Sequence, residues 1–245
     1  MSWLAMLLIG LAATDLTHSA RKVKVLPQVV GALVALTVGL LVGMTTGRDV
    51  VALFVIAAVV LVWGFAVTWG FGHPAQAAAW LPLGLFVLAL VAAIACSGLA
   101  PEASGPLVRW LDSVSLPVLD GLPADRFLLL LGAFGIQLST GNVLVRLVLK
   151  STGTINPRRD GGMPPTQLKG GRLLGPLERV FILALALGGQ VTAASVVVAA
   201  KGLLRFPELS SRHEQQTVHE MTEYFLLGSF MSWLVALGSY VLLLG

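Results

Sequence analysis

By its sequence the chain is an all-α protein, a polytopic transmembrane helix bundle of about seven membrane helices, and three observations predict this. Hydrophobic residues make up 56% of it and charged residues only 11%, whereas soluble domains carry about 25% charge. Mean hydropathy is +0.88. The apolar residues are gathered into long runs, as a hydrocarbon core about 30 Å thick requires at about 1.5 Å of helix rise per residue. No polar block between the runs is long enough to build a second core, so residues 1–245 read as a single membrane-embedded domain.

The first run, 3–16, is the weakest of the seven. Arg21, Lys22 and Lys24 follow it and no basic residue precedes it, so it reads as a membrane helix with its N-terminus outside and not as a signal peptide. Six longer runs follow at 27–44, 49–71, 77–97, 126–149, 173–200 and 224–244. Trp63, Trp69 and Trp80 read as interfacial belt residues. Between the fourth and fifth runs, Leu107, Trp110, Leu111 and Val114 recur at i, i+3, i+4 and i+7, while Arg109, Asp112 and Ser113 fall elsewhere. That spacing predicts an amphipathic helix lying on the outer surface and ended before Pro117. Residues 151–167, with Gly161-Gly162 and Pro164-Pro165 and no apolar period, read as a flexible cytoplasmic loop.

Lys and Arg accumulate in loops left in the cytoplasm. The first loop and the fifth connection, with Arg146, Lys150, Arg158, Arg159, Lys169, Arg172 and Arg179, fall on one side by parity. The expected orientation in a bacterial plasma (inner) membrane is therefore N-terminus outside, C-terminus cytoplasmic. Lys201 and Arg205 sit badly in it. A split at Gly188-Gly189 would turn the sixth run into a re-entrant hairpin and leave six crossings.

The sixth run carries the most conspicuous polar pattern. Arg179, Gln190 and Lys201 are spaced by eleven residues, which at about 100° per residue returns each to within roughly 20° of one helical face. On one continuous helix they form a stripe roughly 33 Å long with Gln190 near mid-depth, facing the bundle, where Ser139 or Asn142 can bond it. Steps of three and four also bring Ser139, Asn142, Arg146 and Lys150 to one side of the fifth helix. With Lys169, Gly170, Gly171 and Arg172 they surround the start of the sixth helix, where free N–H groups and the positive dipole end favour an anion. A phosphate-bearing headgroup fits such a mouth. The competing reading is ordinary snorkelling anchors. Glu178 complements the helix dipole in the first turn, and Arg179 reaches the headgroups from it.

Other candidates are thinner. Asp15 and His18, three apart at the end of the first helix, are placed to share a proton or a cation, but two groups are too few for a metal site; His219 and Glu223 stand at i, i+4 without an HExxH pattern. Cys96 lies in an apolar run as packing, which leaves no intrachain disulfide. Lys169 precedes its glycines, so there is no Walker motif. The charge of +4 gathers at segment ends, where topology accounts for it, so nucleic acid is not an expected partner. No catalytic motif, metal site or cofactor is expected.

The stretches Val145-Arg146-Leu147-Val148-Leu149, Leu168-Lys169-Gly170-Gly171-Arg172, Gly175-Pro176-Leu177-Glu178-Arg179, Gly189-Gln190, Ala200-Lys201-Gly202 and Glu223-Tyr224-Phe225-Leu226-Leu227-Gly228 resemble a bacterial integral-membrane family, a domain of unknown function, over residues 142–237. Its first helix has a His-then-Asp pattern, whereas here Asp15 precedes His18. The resemblance implies a bacterial inner-membrane protein and supplies no activity. The expected function is a small transporter or lipid-handling protein that takes an anionic headgroup or solute at the basic mouth, with membrane lipids as partners. The alternative is a non-catalytic subunit, in a homo-oligomer or beside another membrane protein, favoured by the small residues of the sixth helix.

Overall fold

The computed structural model describes residues 1–20, 23, 25–114, 116, 117, 119–154, 171–210 and 215–244, with backbone only for 171, 172, 201, 202, 204–210 and 215–221. Among them every regular element is helical: α1 (Ser2–Ala20), α2 (Leu26–Leu41), α3 (Gly47–Gly72), α4 (Trp80–Ala95), α5 (Pro106–Ser113), α6 (Ala124–Leu138), α7 (Thr140–Ser151), α8 (Gly171–Leu187), α9 (Val191–Ser210) and α10 (Gln215–Leu244). Short 3₁₀ turns at Gln76–Ala79 and Ser97–Leu99 flank α4. Four helical stretches are long and apolar enough to cross a membrane: α1, α3, α4 with its leading turn, and Thr222–Leu244 of α10. A fifth follows if α6 and α7, bent by 48°, count as one broken span.

The weakest predicted run is the hub of the bundle. Helix α1 packs against α2, α3, α4, α6 and α7, and Leu4, Ala5, Met6, Leu7, Leu8 and Leu11 are all buried. Lipid offers no hydrophobic drive between apolar helices, so close backbone approach at small residues must hold them together. The contacts have that form. A Cβ on Gly31 of α2 would lie 1.9 Å from Thr14 Oγ1 and 2.6 Å from the Gly10 carbonyl; one on Gly132 of α6 would lie 2.8 Å from Leu8 Cβ.

Two of the predicted continuous helices are broken. The fifth run bends at Ser139, whose φ of −130° and ψ of −52° leave the helical region, within Ser139-Thr140-Gly141-Asn142, where short polar side chains compete for backbone bonds. The sixth is interrupted at 188–190. Gly189 takes φ +73°, a left-handed conformation that glycine adopts without a Cβ penalty. Beyond this corner Ala194 of α9 packs with Ile182 of α8 and Ala236 of α10, and Val198 joins them beside Trp233. Trp233 in turn is bonded to Glu178, so α9 runs back along α8 as a hairpin.

The bundle has two ends. At one, Ser2 Oγ donates to the Pro101 carbonyl at 2.9 Å, the N–H groups of Ser104 and Gly105 bond the Val42 carbonyl, and Arg48 reaches the Leu99 carbonyl at 2.9 Å. Here α5 lies with Leu111 buried, Arg109, Asp112 and Ser113 outward, and Trp110 tilted over Phe127, as its spacing predicts. At the other end, Gln76 lies against Gly153 and Lys150 holds the last carbonyls of α3. Helix α10 leaves this second end, with Gly228 near Leu149 and Val145, and climbs past Gln137 at Ser239 toward the first. Trp69 and Trp80 are half exposed or more, but Trp63 is 1% exposed, which moves it from the expected belt into the core. Cys96 is exposed, not packed.

Candidate functional site

The break between α6 and α7 organises the buried polar groups. The last turn of any helix presents carbonyls without a partner in their own helix, at the negative end of its dipole. In α6 the Gln137 carbonyl accepts two bonds from Arg179 of α8, at 3.1 Å from Nε and 2.9 Å from Nη2. The same guanidinium donates through Nη2 to Asn142 Oδ1 at 2.7 Å and through Nη1 to Ser232 Oγ at 3.1 Å. Arg179 is 1% exposed, and its planar fork joins α6, α7 and α10 at one point, as a single ammonium cannot. The fork lies flat on the first turn of α7 because position 141 is glycine: a Cβ there would stand 2.6 Å from Arg179 Nε.

Around this centre Gln137, fully buried, donates from Nε2 to the Ala133 carbonyl at 2.9 Å and to Ser239 Oγ at 2.8 Å. Glu178, buried beside Arg179, accepts from Trp233 Nε1 at 3.2 Å. A second polar group lies by α1. Trp63 Nε1 donates to both carboxylate oxygens of Asp15, at 3.4 and 3.3 Å, and the fully buried Thr140 hydroxyl faces the same carboxylate without completing a hydrogen bond.

Several expected placements change. Arg179 does not reach the headgroups and Glu178 is not a surface dipole partner; both are core groups. Gln190 does not line a stripe: it is exposed at the α8–α9 corner, its carbonyl bonding Ala194 N–H, and its side chain makes no hydrogen bond among the described residues. The eleven-residue arithmetic fails because it needs the helix that Gly189 ends. Lys150 is engaged as well, since Nζ donates to the carbonyls of Gly70 at 2.6 Å and His73 at 2.5 Å, closing the C-terminus of α3 from another helix. Arg146 is exposed, its guanidinium 4.7 Å above the Phe71 ring. Lys169 and Gly170 lie outside the described residues, as do 155–167 of the expected loop and the side chains of Arg172 and Lys201, and only the backbone of Gly171 is described. Of the expected basic mouth, Arg146 and Lys150 meet at Phe71 near the end of α3, while Arg179 is buried apart from them at the α6–α7 break.

Asp15 and His18 do not pair, because Asp15 turns to Trp63 and His18 is exposed. The His219 side chain lies outside the described residues, and Glu223 is exposed, 3.5 Å from the Thr154 hydroxyl. Among the described residues no three His, Cys, Asp or Glu side chains come together. Sequence reasoning missed Gln137, Thr140, Ser232, Trp233 and Ser239, and of these Gln137 left a mark in the sequence. Its signal is a glutamine inside an apolar run, two residues before Ser139-Thr140-Gly141-Asn142. No protein-family profile, curated protein or solved structure matches the chain.

Proposed function

We propose that the chain is a multi-pass protein of the bacterial inner membrane that handles lipid, holding an acyl chain beside α10. One observation carries this reading: a groove of about 650 Å³ at the second end of the bundle, floored by Phe225, Leu226, Leu227, Phe230 and Trp233. Thr152, Glu223 and Ser229 supply its few polar atoms. Ligand sites of this size are apolar clefts with a small number of polar groups. A hydrocarbon tail fits that lining and a solute ion does not. The basic residues Arg158, Arg159, Lys169 and Arg172 lie in the chain between α7 and the start of α8 and suit an anionic headgroup. The likeness of 142–237 to a bacterial membrane family belongs to the same proposal.

Two arms of one measurement test it. Lys169→Gln with Arg172→Gln should reduce retention of acidic lipids in native mass spectra roughly thirty-fold, at about 1 kcal/mol per basic residue near a charged surface. Leu226→Trp, which fills the groove, should reduce all lipid classes. Unchanged lipid content in both variants would sink the reading.

The course of the helices supports six crossings, by α1, α2, α3, α4, the bent α6–α7 pair and α10, with α8–α9 as a re-entrant hairpin. Both chain ends then face outward and the basic connections inward. In a Cys96→Ala background an impermeant thiol reagent applied to intact cells should label cysteines at positions 110 and 244, and leave those at 22 and 158 unlabelled. A protected 244 with a labelled 110 would restore seven crossings.

A further inference from the structure

We propose that Asp15, Thr140 and Gln28, gathered beside the α6–α7 break, form an intramembrane site for a small monovalent cation, H⁺ or Na⁺. Asp15 is 4% exposed and its carboxylate is met by a single indole N–H at 3.3 Å or more. A carboxylate in a low-dielectric interior requires a positive partner, a proton or a full set of donors. None of the helices packed against it supplies a cation. At its level α2 contributes Gln28, α3 contributes Trp63 and α7 contributes Thr140, while α4 contains no charged residue and α6 contributes the end of its backbone. His18, one turn further along α1, is exposed. Among the described residues the buried cation is Arg179. It lies against Gly141, and its bonds run to Gln137, Asn142 and Ser232.

Two of the buried oxygens that lack a hydrogen-bond partner among the described residues lie on this side of the bundle. Thr140 Oγ1 faces Asp15. Gln28 Oε1 belongs to a side chain packed on Gly64, the neighbour of Trp63. The α6 terminus stands at the same depth. Gly132 packs on Leu8 and Gly135 on Ala12, so one further turn brings the last residues of α6 level with Asp15. The Gln137 carbonyl at that terminus is taken by Arg179, which leaves the carboxylate, the hydroxyl and the amide oxygen as the groups that can hold Na⁺ or H⁺ beside a broken membrane helix. Oxygen is the ligand that both ions take.

The test uses the full chain in lipid nanodiscs. Calorimetric titration with NaCl against choline chloride, at fixed pH, reads sodium; infrared difference spectra across a pH series without sodium read a protonated carboxyl band. Either a sodium heat or a titrating carboxyl band is expected, and Asp15→Asn should abolish whichever is present. Should that variant fail to fold, Thr140→Val keeps the side-chain shape and should weaken sodium binding about tenfold, or move the midpoint of the carboxyl band by about one pH unit. Neither signal in the unaltered protein, or a signal indifferent to both substitutions, overturns the proposal.

Discussion

Arg179→Met should be among the most damaging single substitutions in the bundle. It leaves the Gln137 carbonyl, Asn142 Oδ1 and Ser232 Oγ without the donor that joins them, and each buried acceptor so stranded costs about 1–3 kcal/mol. It also removes the cation next to Glu178, a buried carboxylate. A loss of about 3–5 kcal/mol follows, a large fraction of the roughly 5–15 kcal/mol that holds a domain folded. Arg179→Lys should recover less than half of it, because one ammonium cannot bridge three helices in the geometry of a fork. The measurement is the midpoint of unfolding in detergent. A midpoint unmoved by Arg179→Met would show that the guanidinium does not hold the broken helix.

Gly31→Ala is expected to cost about 1–3 kcal/mol by overpacking, and Gly31→Leu more. The added Cβ falls 2.6 Å from the Gly10 carbonyl, a backbone atom that moves only if α1 and α2 separate. Gly238 in α10 provides the comparison, since a Cβ there meets nothing within 4 Å. Gly238→Ala should be neutral or should stabilise by a few tenths of a kcal/mol to about 1 kcal/mol through helix propensity. The same two melting curves settle it: equal shifts in the two variants would mean that helix propensity, and not the α1–α2 approach, decides the outcome.

Where helices form was written in the sequence, because an apolar run of sufficient length has no other way to satisfy its backbone in lipid. The α5 stripe was legible for the related reason that alternation between lipid and water leaves a period. Which run lies in the centre was not legible. Composition marks α1 as the poorest span, yet its position follows from small residues on two other helices, Gly31 of α2 and Gly132 and Gly135 of α6, a property of pairs. The site was misread for a different reason. Arg179, Gln190 and Lys201 share a face only on an unbroken helix, and two adjacent glycines can be tolerated or can end one; here Gly189 ends it. Trp63 could have been placed correctly, since it lies well inside its run, too deep for a headgroup contact. Lys150 shows why counting basic residues overstates a binding mouth. Its distant carbonyl partners, Gly70 and His73 at the end of α3, leave no local mark.

The hub position of α1 has a consequence for how the protein is made. The indole that bonds Asp15 is synthesised 48 residues after it, and the α6–α7 break that faces it emerges more than a hundred residues after it. At about 5–20 residues per second the ribosome delivers the first of these within seconds and the second after on the order of ten. During that interval the nascent α1 is a span of low hydropathy with an unsheltered carboxyl group, which the translocon inserts poorly. Its residence in the bilayer is therefore secured from behind, by chain not yet made when it leaves the ribosome, and the order of synthesis runs opposite to the order of structural dependence.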